Sequence, residues 1–400
     1  MTNPAANRLF GLPTAPAQEV GLSAPALARI GETMTREIAE RRMPGVSLLI
    51  SRRGKIAYSE RFGALRPGGP AMPQDAIFRI YSMTKPIVAV AAMTLVEEGR
   101  LLLGDPLSKY LPAFAAMKVG VERGGALELT PARRPILIHD LFRHTSGLTY
   151  SFAGGSAVQR LVAQADIVNI SHPIAEQIDR LAALPLQRHP GEAFEYGLSF
   201  DVLGRVLEVV SGLRLGEFLH RRVLAPLGMT DTGFFTPAEK RARLAEPFSY
   251  ETLRANKIDL IDGSATPPFE MAGSGLVSTI GDFARFLAMI EGGGALEGVR
   301  ILGARTLAFM TSDQLGPDVD RSNPFLVPGH GHGLGFAVRI APGLAPTAGS
   351  VGEFAWGGVA GTAFWVSPRD ELSAILMLHA PEDYLRPRLL YRNMVNAAIL

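Results

Sequence analysis

The chain has 400 residues, among them 43 Gly, 29 Pro and no Cys, with 40 basic against 38 acidic side chains. That length is too great for one small core, and 47% hydrophobic with 20% charged residues is the balance of a folded globular protein rather than a disordered one. The missing cysteines exclude disulfides, thiolate metal sites and cysteine nucleophiles, and a net charge of +2 gives no electrostatic reason to expect nucleic acid as a partner.

In chain order, Met1 to Pro25 lacks the cationic start and apolar run of a secretory signal, so a cytoplasmic protein is expected. Pro25 to Arg42 carries Leu27, Ile30, Met34 and Ile38 at helical spacing. Val46 to Ser51 and Ile56 to Phe62 read as strands of a hairpin turning at Arg53-Gly54. Pro86 to Val96 is the most apolar run and is too short to span a bilayer. Helical patterns follow at Ile136 to Arg143, Ile174 to Leu184, Phe200 to Ser211 and Leu215 to Val223, with few strand signals between about 105 and 250. Ser312 to Gly333 is a long Gly/Pro/Asp-rich connection of the kind that is often functional or mobile. Gly361 to Ser367 and Leu372 to His379 form a second pair of strands, and a closing helix runs from about Pro387 to Ile399. The expected fold is therefore α+β: an antiparallel sheet flanked by helices, built from residues 1–105 and 255–400, with a helical insertion at 106–254.

Three segments carry chemistry. Ser82 and Lys85 stand three residues apart at the head of the most apolar helical run. On one helical face, a lysine partly desolvated by that run can lose its charge and take the serine proton, while the helix N-terminus favours a developing oxyanion. Spacing alone would fit an N-cap serine and a solvated lysine equally well. Tyr196 follows the turn-rich stretch Pro190-Gly191-Glu192 and precedes a helix, a junction that can project its phenol into a cleft. An ordinary core tyrosine is the alternative. Phe354-Ala355-Trp356-Gly357-Gly358-Val359 runs into an apolar strand, and its glycines suit either a tight bend or the close approach of a ligand.

Taken in this order, these segments resemble the serine β-lactamase-like superfamily, and most closely its family VIII carboxylesterases, which are similar to class C β-lactamases and D-alanyl-D-alanine carboxypeptidases. The resemblance spans about residues 20 to 398 and includes Ser82-Met83-Thr84-Lys85, Leu107-Ser108-Lys109-Tyr110-Leu111-Pro112, His144-Thr145-Ser146-Gly147-Leu148, Tyr196-Gly197-Leu198-Ser199 and Trp356-Gly357-Gly358. It implies a β-lactamase-like fold, with Ser82 as nucleophile, Lys85 as general base and Tyr196 as proton relay. It further implies an oxyanion hole from the N–H groups of Ser82 and Val359, and a substrate wall of Trp356, Gly357 and Gly358. No cofactor or metal is implied, and the partner is a small ester. Two departures bear on substrate. Leu198 stands where the penicillin-recognising relatives have the Asn of Tyr-x-Asn, and Trp356-Gly357-Gly358 stands where they have Lys-Thr-Gly. Both move the expected substrate toward short neutral esters, and the alternatives on the same site are a β-lactamase or D-amino-acid peptidase and an acyltransferase. A non-catalytic binding member of the fold is the rival of another class, and the joint presence of Ser82, Lys85 and Tyr196 argues against it. His144 and Ser146 are read as loop structure, and His330-Gly331-His332 as a weak hint of metal.

Overall fold

The computed structural model describes residues 8–247, 260–381 and 383–400. The domain boundary expected at 254/255 lies outside the described residues. Helix α1 (Ala24–Ala39) leads into strands β1 (Gly45–Arg52) and β2 (Lys55–Gly63), and the sheet is completed from the far end of the chain. Its other strands are β3 (His330–His332), β4 (Ala337–Arg339), β5 (Phe354–Gly357), β6 (Ala363–Ser367) and β7 (Leu372–Leu378). The order across the sheet is β3-β4-β5-β6-β7-β1-β2, antiparallel throughout. The two hairpins legible near the chain ends are thus halves of one sheet, joined where β7 pairs β1 over Leu372–Leu378.

Every residue of β1 is buried, because both faces of the sheet are covered. Leu48 and Ile50 point to one side, where α1 and the closing helix, Leu385–Ala397, pack through Ile30, Met34 and Tyr391. Leu49 points to the other side, into the larger core. This is the two-residue alternation of a strand, with two apolar faces instead of one. Helix α2 (Thr84–Glu97) lies inside that larger core and is buried from Thr84 to Leu95, so it is apolar all round rather than amphipathic. Helices α3 (Ser199–Ser211), α4 (Ile280–Glu291) and α5 (Ala304–Met310) complete the surroundings, and α6 spans Leu385–Ala397.

Two details differ from the sequence reading. A separate antiparallel hairpin, Lys118–Arg123 with Ala126–Pro131, stands in the stretch read as wholly helical. It turns on Gly124-Gly125, both at positive φ, and its strands are half exposed, so no strong apolar alternation marked them. The helical pattern at Leu215 to Val223 is an α-turn, Leu215–Leu219, continued by a π-turn, His220–Leu224. Among the described residues no helix is long and apolar enough to cross a membrane.

Candidate active site

Ser82 is not on the α-helix itself. It is the middle residue of a 3₁₀ turn, Tyr81–Met83, that feeds directly into α2. Lys85 lies three residues on, in the first turn of α2, on the side that Ser82 faces. Tyr81 adopts φ 44°, a left-handed conformation rarely taken by a bulky side chain, immediately ahead of Ser82.

The structure brings Ser82, Lys85 and Tyr196 together. Ser82 Oγ lies 2.7 Å from Tyr196 Oη and 3.2 Å from Lys85 Nζ, and Lys85 Nζ is 2.9 Å from Tyr196 Oη. These three distances close a triangle of hydrogen-bonding atoms. Lys85 Nζ also donates to the carbonyl of Gly273 at 2.7 Å, and its side chain is 1% exposed. Asp201, on the first turns of α3, accepts the Gly273 N–H at 3.0 Å. Burial raises the Asp201 carboxyl above its ordinary range, and the positive charge of Lys85 acts against that rise. Sequence reading missed both Gly273 and Asp201, which are 188 and 116 residues from Lys85.

Tyr196 is held in place from behind. Gly197 packs so tightly on the next segment that an added Cβ would sit 2.1 Å from the Leu148 carbonyl. The Tyr196 ring is 4.8 Å from that of His144, 5.4 Å from Tyr150, 5.0 Å from Phe325 and 5.7 Å from Trp356, centroid to centroid. His144, read from sequence as loop structure, is thus part of the wall supporting Tyr196. It is wholly buried, and burial, with lesser contributions from neighbouring His332 and Lys85, keeps its pKa well below the usual imidazole value. His332 donates from Nδ1 to the Gly333 carbonyl at 2.7 Å, and burial lowers its pKa to about 4, so both rings are neutral near pH 7. The His330–His332 segment forms an edge strand, and among the described residues no group of His, Asp and Glu is placed to hold a metal ion. Phe325 comes from the Ser312 to Gly333 connection, which therefore lies against the site.

The Trp356 strand is β5, and its last residues close the site. An added Cβ at Gly358 would lie 2.4 Å from the Ile80 carbonyl, two residues ahead of Ser82, and Thr362 Oγ1 donates to the same carbonyl at 3.3 Å. The backbone of Val359 is thereby carried beside the Ser82 turn. The loop is held from the other side by Arg388 of α6, which donates to the carbonyls of Gly358, Gly361 and Thr362. Arg388 packs flat on Gly357 and has no carboxylate partner among the described residues. Burial lowers its pKa to about 10, so it stays charged at neutral pH. The Nε1 of the Trp356 indole is buried and unpartnered, so the N–H is turned away from solvent. Leu198 is fully buried, and Ser199 is spent on Ser146 at 2.8 Å. The rim is apolar, with Phe152 stacked on Tyr150 at 4.8 Å and 66% exposed, and with Phe325 and Val359 partly exposed.

The sequence model of the family described as Beta-lactamase matches residues 30–398. Esterase EstB of Burkholderia gladioli is 31% identical over 375 residues, covering 88% of this chain and 89% of that protein. Protein Rv1367c of Mycobacterium tuberculosis (strain ATCC 25618 / H37Rv) is 36% identical over 329 residues, covering 78% and 80% of the two chains. Among solved structures, EstCE1, described as a hydrolase with promiscuous acyltransferase activity, superposes with a TM-score of 0.77 at 27% identity, covering 93% of this chain and 98% of the other.

Proposed function

This chain belongs to the Beta-lactamase family, and from that premise we propose that it is a serine carboxylesterase acting on neutral esters with short acyl chains. The reading rests on one observation above all, the triangle of Ser82 Oγ, Tyr196 Oη and Lys85 Nζ, closed by contacts of 2.7, 2.9 and 3.2 Å. In the reaction Ser82 Oγ attacks the ester carbonyl while its proton passes to the Lys85 amine, directly or through the Tyr196 hydroxyl. The carbonyl oxygen becomes an oxyanion held by the N–H groups of Ser82 and Val359. As the intermediate collapses, the C–O bond to the alcohol breaks and Tyr196 delivers a proton to the departing alkoxide, recovering one from Lys85. Water then attacks the acyl-Ser82 carbonyl, losing a proton to the same Tyr196–Lys85 pair; the bond from the acyl carbon to Ser82 Oγ breaks, Oγ takes that proton back, and the carboxylic acid leaves.

The substrate class follows from what the walls lack. A carboxylate-bearing substrate must leave water, and a matching cation is the efficient compensation. Trp356 supplies an apolar face and keeps its N–H buried, while the guanidinium of Arg388 is occupied by three backbone carbonyls. The buried Leu198 offers no amide to a β-lactam side chain. Losing a charge-assisted contact costs about 1.5–3 kcal/mol, roughly ten- to a hundredfold in relative specificity. The expected result is a higher kcat/KM for p-nitrophenyl acetate or butyrate than for a chromogenic cephalosporin, measured on one preparation at one pH. A larger value for the cephalosporin would overturn the esterase reading in favour of a β-lactamase. The exposed Phe152 and Phe325 favour a second reading, in which an alcohol docked on that aromatic rim replaces water as acyl acceptor. The ratio of new ester to free acid in aqueous butanol measures it.

A further inference from the structure

A cavity of about 730 Å³ opens between the sheet and helices α4 and α5, within the size range of small-molecule sites. Its walls are mainly apolar: Leu49, Ile56, Leu372 and Phe354 from the strands face Ala288 and Leu307 from the helices. Phe354 opens β5 and Trp356 and Gly357 end it, so this cavity and the Ser82 site lie toward opposite ends of one strand.

Among the described residues, one carboxylate at the cavity has no cation beside it. Five charged residues line it, the cations Arg8 and Arg53 and the carboxylates of Glu291, Glu297 and Glu371. Arg8 pairs with Glu297 at 2.9 Å, a carboxylate that Arg285 of α4 also holds at 2.8 Å, and Arg53 lies 3.6 Å from Glu371. Glu291 is left over. It hydrogen-bonds Ser373 and forms no ion pair among the described residues. It is also the last residue of α4, where the helix's own carbonyls already present partial negative charge and a cation is the favoured neighbour. Its side chain is exposed to solvent although many protein atoms surround its position, as for a group lining an open cavity.

We propose that this cavity binds a cationic amphiphile, a medium-length alkyl chain bearing a primary ammonium, with the ammonium on Glu291 and the chain along Leu49, Ile56, Leu307 and Phe354. The apolar walls take the chain, each added methylene strengthening binding about fourfold while it still fits. The carboxylate and the helix C-terminus take the head group. Burial raises the Glu291 pKa to about 7, so the acid is partly protonated at neutral pH and gives up its proton to bulk water as the ammonium arrives. The charged groups facing it are Arg8 from the N-terminal segment, Arg53 from the β1–β2 turn, Glu297 from the loop after α4 and Glu371 from the β6–β7 turn. None of the others is a histidine, and Glu291 is the carboxyl that burial raises toward neutrality, so it is the group expected to change charge between pH 6 and 8.

The test is calorimetric titration of the full chain with octylammonium, octanol and octanoate at pH 6 and pH 8. Octylammonium is expected to bind one to one and to tighten about tenfold from pH 6 to pH 8, following the ionised fraction of an acid of pKa about 7. Octanol is expected to bind more weakly and without pH dependence. Glu291→Gln, which keeps the shape of the side chain, is expected to abolish the pH dependence and to weaken octylammonium at least tenfold at pH 8. Leu307→Trp fills the cavity and is expected to block binding while leaving ester turnover unchanged, which separates this site from the Ser82 cleft. Tighter binding of octanoate, unaltered binding of octylammonium in Glu291→Gln or in Leu307→Trp, or no binding of any of the three to the wild type would each overturn the proposal.

Discussion

Replacing Arg388 by Met tests whether the backbone beside Ser82 depends on a side chain from the closing helix. The guanidinium donates to Thr362 O at 2.7 Å, to Gly361 O at 3.2 Å and to Gly358 O, and lies 4.6 Å from the Tyr384 ring. Methionine fills comparable space without a donor. Thr362 O keeps its bond from Gly358 N at 2.8 Å and Gly358 O keeps its bond from Gly361 N at 2.9 Å, so of the three carbonyls only Gly361 O is left without a partner among the described residues. A charge-assisted bond is worth about 1.5–3 kcal/mol, and part is recovered when the loop turns toward water, which puts the stability loss at about 1–3 kcal/mol. The catalytic effect is separate. Val359 sits inside the released loop, and deleting an oxyanion donor outright costs about a hundred- to a thousandfold in kcat. A donor loosened rather than deleted is expected to cost about ten- to a hundredfold, with KM within about twofold, because the ground-state carbonyl depends on that N–H less than the oxyanion does. Arg388→Lys keeps the charge without the fork and falls between the two. The assay is steady-state hydrolysis of p-nitrophenyl butyrate well below the melting temperature, alongside thermal unfolding of each variant. A variant with a lowered melting temperature and an unchanged kcat would refute the positioning role and leave Arg388 as scaffold only.

Lys85→Arg is expected to be nearly as damaging as Lys85→Ala, because a guanidinium does not give up its proton at working pH; more than about a tenth of the wild-type rate, a loss under roughly 1.4 kcal/mol, would contradict the base role. Gly197→Ala is expected to destabilise strongly and to displace Tyr196, since the new Cβ would meet the Leu148 carbonyl at 2.1 Å and Thr149 Cα at 2.5 Å, neither of which can turn aside; chemical denaturation against the wild type measures it. His379 accepts the Arg79 N–H at 3.2 Å and donates to Ala245 O at 3.0 Å, and burial lowers its pKa to about 3. The unfolded chain therefore binds a proton here below pH 6.5 that the folded chain refuses, and this contribution to stability is lost as pH falls from about 6.5 toward 3. Asp282, raised to about 6, and Glu291, raised to about 7, act in the opposite direction, losing stability as pH rises above their unfolded values. The clean measurement is the difference in acid-side slope between wild type and His379→Gln, expected to approach 1.4 kcal/mol per pH unit, and an identical slope would contradict the assignment.

The sheet and its end helices were legible because β1, β2, β6 and β7 carry long β-rich runs bounded by Gly, Pro and Asp turns. Leu27, Ile30 and Met34 likewise mark one face of α1. The Ser82–Lys85 pair was legible because a lysine at the head of an unbroken apolar helix is costly unless it has a task. Tyr196 and Trp356 were legible too, one from its loop-to-helix junction and the other from the glycines beside it, but the groups that hold them in place were not. Gly273, Asp201, His144, His332 and Arg388 arrive from separate parts of the chain, and their role exists only once the fold has placed a carbonyl or a ring within a few ångströms of Lys85, Tyr196 or the Gly358 loop. Nothing local marks Tyr81 as left-handed, since the surrounding structure imposes that conformation. The hairpin at Lys118–Pro131 escaped notice because only half-buried alternation distinguishes it, although Gly124-Gly125 was a usable turn signal.

The central claim is that Ser82 is acylated. The most direct measurement is reaction with an aryl phosphonate followed by peptide mass mapping, with the p-nitrophenol burst from a p-nitrophenyl ester recorded on the same sample. One adduct per chain at Ser82 is predicted, with a burst stoichiometric with protein and both lost in Ser82→Ala of unchanged melting temperature. Ser146 is buried against Ser199 at 2.8 Å and Ser350 is bonded to Asp370 at 2.8 Å, so neither is set up to compete. A label at either position, or full turnover by Ser82→Ala, would contradict the account.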